Sequence, residues 1–199
     1  MTPQEVLEIL HVAERLKCNT RHCDTSTGRR ESVAEHSWRL CLFAMLLEQE
    51  PEFRSLDTDR VLRMCLIHDL GEAFTGDIPA FSKSAQDEGR EQALYEDWIA
   101  QFPPANRAQF QALLAEMTAL ATPEAKLYKA LDKLEAVIQH NEASLDSWLP
   151  LEYDLQRTYG QEAVEFSPYL RALKAEIDRW TEEKIAAAPP QAQRSEIRD

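Results

Sequence analysis

SVAEHSWRLCLFAMLL, residues 32–47, decides the fold. Ser32 followed three residues later by Glu35 is the capping-box signature of a helix start. From Val33 to about Glu48 the predicted helix is apolar over most of its circumference, which puts it at the centre of a helical assembly. Outward from it the same spacing of three and four recurs. Val6, Ile9, Leu10, Ala13 and Leu16 mark an N-terminal amphipathic helix. Another opens near Asp57 or Thr58 and runs through Val61, Leu62, Cys65 and Leu66 to His68-Asp69, before a turn flanked by Gly71 and Gly76 and closed by Pro79. Leu94, Trp98 and Phe102 mark a helix stopped by Pro103-Pro104, and Phe110, Leu113, Leu114, Met117 and Leu120 mark the next. Thr122-Pro123-Glu124 supplies an N-cap, a proline at N1 and an acid on the dipole. The helix it starts carries Leu127, Leu131, Leu134 and Ile138 as one stripe, with Asp132 off it. Leu170, Leu173, Ile177 and Trp180 mark a last helix. The stretch from Asn19 to Glu31, with Arg21, His22, Arg29 and Arg30, reads as a polar loop. No period-2 strand and no internal repeat is visible. The expectation is an all-α, single-domain helical bundle over residues 1–185, with a disordered tail over 186–199.

Composition narrows the function classes. Of 199 residues 44% are apolar, enough for a sizeable core. Twenty-two basic against 35 acidic side chains give a net charge of −13. With no basic run, that balance argues against nucleic acid and anionic membrane as partners. Five glycines leave few positive-φ turns for an all-β fold. The run from Leu40 to Leu47 is the longest apolar stretch and is too short to cross a bilayer. No N-terminal apolar segment reads as a signal, so the expected compartment is the cytoplasm. Cys18, Cys23, Cys41 and Cys65 follow no CxxC spacing and read as reduced thiols.

The chemistry begins at His68-Asp69, a borderline and a hard ligand at a helix end. Neighbours on a helix point about 100° apart, yet both can reach one ion beyond the helix terminus. His36 taken alone is a core histidine bonded to a carbonyl, and Asp132 taken alone is a surface partner of Lys129 at i−3. Together the four spell H…HD…D across three helices.

That pattern resembles the HD-domain metal-dependent phosphohydrolases. SVAEHS around His36, LIHDLGEAFTGDIP from Leu66 to Pro79, and EAKLYKALDKLE from Glu124 to Glu135 are similar to the branch that holds the 5′-deoxynucleotidases. The resemblance covers about Leu16 to Gln139. It implies that His36, His68, Asp69 and Asp132 hold one divalent ion (Co, Mn, Fe, Ni, Zn or Mg), leaving positions open for water and phosphate. It implies that Glu72 orients or deprotonates the attacking water, and that Asp77 lies near the sugar and leaving oxygen with Asp69, Ile78, Pro79 and Ala80 around the ligand. Arg21, fifteen residues before His36, stands where that branch places its phosphate-orienting arginine, and Arg29 and Arg30 are further candidates. His22 stands where the branch has a tryptophan implicated in preferring deoxyribose, which leaves the sugar preference open.

The function implied is hydrolysis of (deoxy)nucleoside 5′-monophosphates to nucleoside and phosphate, with a small-molecule nucleotide as partner and a homodimer as assembly. The alternatives are hydrolysis of another phosphate ester (a nucleoside triphosphate, a guanosine tetraphosphate-like nucleotide or a sugar phosphate) and a non-catalytic nucleotide sensor. A water-activating Glu72 has no use in a sensor. No histidine lies between Asp69 and Asp132, which argues for one metal rather than two.

Overall fold

A computed structural model describes residues 1–188. Its helices are α1 (Pro3–Ala13), α2 (Val33–Leu47), α3 (Thr58–Ile67), α4 (Glu72–Thr75), α5 (Ala85–Ile99), α6 (Pro104–Ala119), α7 (Pro123–Glu142), α8 (Glu152–Thr158), α9 (Gln161–Val164) and α10 (Pro168–Ala186). The capping signals act as read. Ser32 and Glu35 close a capping box on α2, Asp57 caps α3, and Thr122 caps α7 ahead of Pro123. The disordered tail expected over 186–199 lies, from residue 189 on, outside the described residues.

α2, α3 and α7 pack together at the centre, where Leu40, Met64, Cys65, Ala130, Leu131 and Leu134 are fully buried. α10 closes the bundle with Leu170 and Ile177. The cysteines are all free thiols, and no described helix is long and apolar enough to cross a membrane.

One segment differs from its reading. The polar loop is instead a two-stranded antiparallel hairpin, β1 (Thr20–Asp24) and β2 (Arg30–Ser32), in an otherwise all-α domain. Thr20 pairs with Ser32 and Asp24 with Arg30, with an irregularity between. Gly28, at φ +80°, turns the chain between the strands. No alternation of apolar residues announced it, because tertiary contacts hold it: Gln139 of α7 donates to the Asp24 carbonyl at 2.7 Å. Asn19, just before β1, donates its amide to the Glu72 carbonyl at 2.5 Å and accepts from Val33 at the head of α2. The hairpin is thereby tied to the entry of α2, to α4 and to α7 at once.

α3 ends on His68, whose backbone N–H still bonds Met64, and the chain continues through a turn into α4. Gly71 passes so close to α5 that a Cβ there would meet Glu91 Cγ at 3.0 Å. Gly76, at φ +76°, releases the chain toward Asp77, as its place in the sequence predicted.

Leu40→Ala removes a fully buried side chain between the three central helices. The expected cost is about 2–5 kcal/mol, read as a fall in Tm of roughly 4–20 °C for a domain of this size.

Candidate metal centre and adjoining cleft

His36 comes from the second turn of α2, His68 and Asp69 from the end of α3, and Asp132 from the middle of α7. Their donor atoms converge. His36 Nε2 lies 3.2 Å from His68 Nε2, 3.2 Å from Asp132 Oδ1 and 3.8 Å from Asp69 Oδ2. His68 Nε2 lies 2.9 Å from Asp69 Oδ2 and 3.6 Å from Asp132 Oδ1. Ligands about 2.1 Å from a common ion sit about 3.0–3.4 Å apart along a polyhedron edge; His36, His68 and Asp69 come close enough together to hold a metal ion, and Asp132 Oδ1 lies against both imidazoles.

The far side of each imidazole decides the case. His36 Nδ1 is hydrogen-bonded to the buried carboxylate of Glu135, and His68 Nδ1 lies 2.9 Å from the Cys65 carbonyl. Both partners accept, so each Nδ1 carries the proton and each Nε2 turns a lone pair inward. Two lone pairs 3.2 Å apart, faced by two carboxylates, repel one another unless a cation stands among them. A proton is the substitute when no metal is bound. Burial pushes His68 down, but Asp69 and Asp132 outweigh it and lift it to about 10. Asp69 falls to about 2 and Asp132 falls as well, each against the burial that would raise it.

Asp132 makes two contacts with its two oxygens. Oδ2 accepts from Lys129 Nζ at 2.8 Å, the i−3 pair expected of a surface aspartate, while Oδ1 faces the imidazoles.

Glu72, at the head of α4, is 5% exposed, and its Oε2 has no hydrogen-bond partner among the described residues. Burial, with Asp69, Asp77 and Glu91 nearby, lifts it to about 10. Burial also raises Asp77, partly offset by Arg21. Arg21, on β1, reaches Glu31 at 2.9 Å and Glu135 at 3.3 Å, both through Nη1. Burial disfavours its charge, but Glu135 and Glu31 hold it firmly cationic.

Arg21 and Asp77 each feel the charge of Asp69, and each lines the same small cleft. His22, Pro79 and Ala80 share that wall, and Ile78 is not among the lining residues. Arg29 forks onto Glu35, and Arg30 lies 3.5 Å from Asp24. Both arginines are exposed, and neither lines the cleft.

Sequence reasoning missed Glu135, Glu31 and Arg39. Glu135 orients His36, steadies Arg21 and accepts from Arg39 Nε at 2.6 Å. The signal was present: Glu135 follows Asp132 by three on a helix, so the two share a face.

The family model "HD domain" matches residues 13–174. A human 5′-deoxynucleotidase, HDDC2, is 31% identical over 93% of this chain and 90% of its own. The Xenopus laevis protein of the same name is 34% identical over 55% of this chain, a match spanning only 53% of that protein. A crystal structure described as a predicted metal-dependent phosphohydrolase, from Magnetospirillum magnetotacticum MS-1, superposes with a TM-score of 0.76 at 28% identity, covering 94% of this chain and 95% of that one.

Glu135→Gln keeps the size of the side chain but removes the charge that fixes His36. Metal affinity, titrated calorimetrically, should fall about 10–100-fold while the fold persists by circular dichroism. The metal-free protein should also lose stability as pH rises. His68 and Glu72 both bind a proton more tightly folded than unfolded, with folded pKa values of about 10. Their contribution is complete below the unfolded values and is lost as pH climbs toward 10. Melting curves of chelated protein should therefore slope downward across this window. Saturating divalent metal should flatten that slope, whereas a slope unchanged by metal would count against the site.

Proposed function

The chain belongs to the HD-domain family, and on the geometry above we propose that it is a metal-dependent phosphohydrolase acting on (deoxy)nucleoside 5′-monophosphates. One observation carries the reading: donor atoms from three elements converge on a point suited to a divalent cation, beside a buried carboxyl, Glu72, with an oxygen that no described residue satisfies. The human and frog 5′-deoxynucleotidases to which the chain is similar support the substrate class. The ligand set of two imidazoles and two carboxylates accommodates Co, Mn, Fe, Ni, Zn or Mg.

His36, His68, Asp69 and Asp132 would hold a divalent ion, which would supply positive charge to acidify water and polarise a phosphoryl oxygen. This chain's own groups do the rest. Glu72 orients the attacking water and, once a bound cation's charge offsets the burial and the neighbouring carboxylates that hold its proton on, takes the water's proton. Arg21, pinned through Nη1 by Glu31 and Glu135, offers the remainder of its guanidinium to the phosphoryl oxygens. Asp77, raised by burial, delivers a proton to the departing 5′ oxygen. The water adds to phosphorus, the P–O5′ bond breaks, and nucleoside and inorganic phosphate leave.

The overall charge of −13 makes local cations necessary for a dianionic substrate. Arg21 is the guanidinium in the cleft wall. A homodimer belongs to this reading: Trp38, Leu42, Met45 and Leu46 repeat along an exposed face of α2, an apolar stripe suited to a second copy. So does a cytoplasmic setting, which keeps the four thiols reduced.

The test is phosphate release from nucleoside mono-, di- and triphosphates and sugar phosphates, with each candidate metal. Monophosphates should be preferred. Glu72→Gln should lower kcat about 10²–10⁴-fold with metal still bound, and Arg21→Ala should raise KM and lower kcat. Nucleotide binding without any turnover would favour the sensor instead.

A further inference from the structure

Arg39 lies one turn beyond His36 on α2, and Glu142 lies two turns beyond Glu135 on α7, so the four share the seam between these helices. Contacts alternate along that seam. His36 Nε2 faces Asp132 at 3.2 Å, and His36 Nδ1 bonds Glu135. Arg39 then donates from Nε to Glu135 Oε1 at 2.6 Å and from Nη1 to Glu142 Oε2 at 2.5 Å. Its Nη2 is buried and has no hydrogen-bond partner among the described residues. The guanidinium is thus held to α7 through Nε and Nη1.

Among the described residues Glu135 has three partners for its two oxygens: Oε2 meets both His36 Nδ1 and Arg21 Nη1, and Oε1 meets Arg39. The last torsion of a glutamate is broad and roughly twofold. Bonds to one oxygen alone leave the carboxylate plane unset, whereas the bond to the other oxygen sets it. Without Arg39, Oε1 stands open, and Arg21 and His36 can divide the two oxygens between them. The imidazole inherits that freedom. The ring torsion of a histidine is broad as well, and the partner of its outer nitrogen orients it. The same ring carries Nε2 toward His68 and Asp132, so a turn of Glu135 displaces a metal-facing nitrogen. Arginine suits the place better than lysine, because a planar fork reaches two carboxylates at once in a fixed geometry.

We propose that Arg39 is a positioning residue for the metal centre: it sets the plane of the Glu135 carboxylate and, through it, the direction of His36 Nε2. Arg39 does not line the cleft, and it acts only through this relay. The inference rests on the metal-centre reading above and adds to it a residue outside the ligand set.

The experiment titrates cobalt(II) into the metal-free full chain by calorimetry and records the visible d–d spectrum of the loaded protein. The wild type is compared with Arg39→Met, Arg39→Lys, Glu142→Gln, Glu135→Gln and the double variant Arg39→Met/Glu135→Gln. Arg39→Met should weaken cobalt binding about 3–10-fold, short of the full effect of losing the group that bonds the ligand itself, and should shift the spectrum. Arg39→Lys, which keeps the charge but loses the fork, should fall between it and the wild type. Glu142→Gln, which keeps an acceptor for Nη1, should bind cobalt as the wild type does. The double variant should bind no more weakly than Glu135→Gln alone, since the relay is already cut there. Unchanged affinity and spectrum in Arg39→Met overturn the proposal. Equal losses in Arg39→Met and Glu142→Gln mark helix packing and overturn it too, as does a double variant in which the two losses multiply. If Arg39→Met fails to fold by circular dichroism, Arg39→Lys decides, and wild-type affinity there defeats the role. A wild type that binds no cobalt defeats the metal centre itself, whereas tight wild-type binding that the Arg39 variants leave unaltered defeats the positioning role alone.

Discussion

Two imidazole nitrogens, each on a ring whose other nitrogen is hydrogen-bonded outward, face each other across 3.2 Å. Much of the rest of the molecule follows from holding that arrangement in place. α2 and α3 must pack closely enough to bring His36 and His68 together, and α7 must lie across both to deliver Asp132 and Glu135. The fully buried contacts of Leu40, Met64, Cys65 and Leu131 supply that rigidity. A core of aliphatic side chains is close-packed and has one low-energy arrangement, so it fixes charges that would otherwise separate.

The hairpin solves a different problem. Arg21 is a buried cation that must be both available and restrained, and a flexible loop could not restrain it. Its strand is stitched to α2, α4 and α7 by Asn19, Val33 and Gln139. Glu31, on the neighbouring strand, and Glu135, on α7, then meet the same guanidinium nitrogen. Because the same Oε2 of Glu135 also bonds His36 Nδ1, the Arg21 guanidinium and the His36 imidazole share a single carboxylate oxygen.

How much of this the sequence disclosed depends on the range of the interaction that fixes each part. Helix ends set by neighbours three residues apart, such as Ser32–Glu35 and the Thr122-Pro123 start, were legible because their cause is local. The H…HD…D constellation was legible as chemistry, since each ligand's ordinary role failed to explain all four together. The hairpin was not, because TRHCD carries no apolar alternation and its strand character comes from partners far along the chain. Asp132 shows why weighing residues singly misleads: its pairing with Lys129 and its place among the imidazoles use different oxygens and coexist.

Glu72 shows how the unmet group in this site ties folding to use. A buried carboxyl oxygen with no partner is a standing cost, and here it is compounded by Asp69, Asp77 and Glu91. The fold accepts that cost through neighbouring backbone rather than through the side chain: the Glu72 carbonyl is held by Asn19, and the adjacent Ala73 carbonyl by Arg15. The helical turn is therefore fixed while its carboxyl is left free. If the fold alone had set this residue, the partners that secure its backbone would have been better spent on its side chain, or an apolar residue would fill the position more cheaply. What the fold fixes at this turn is backbone, and the Glu72 Oε2 is left without a partner among the described residues.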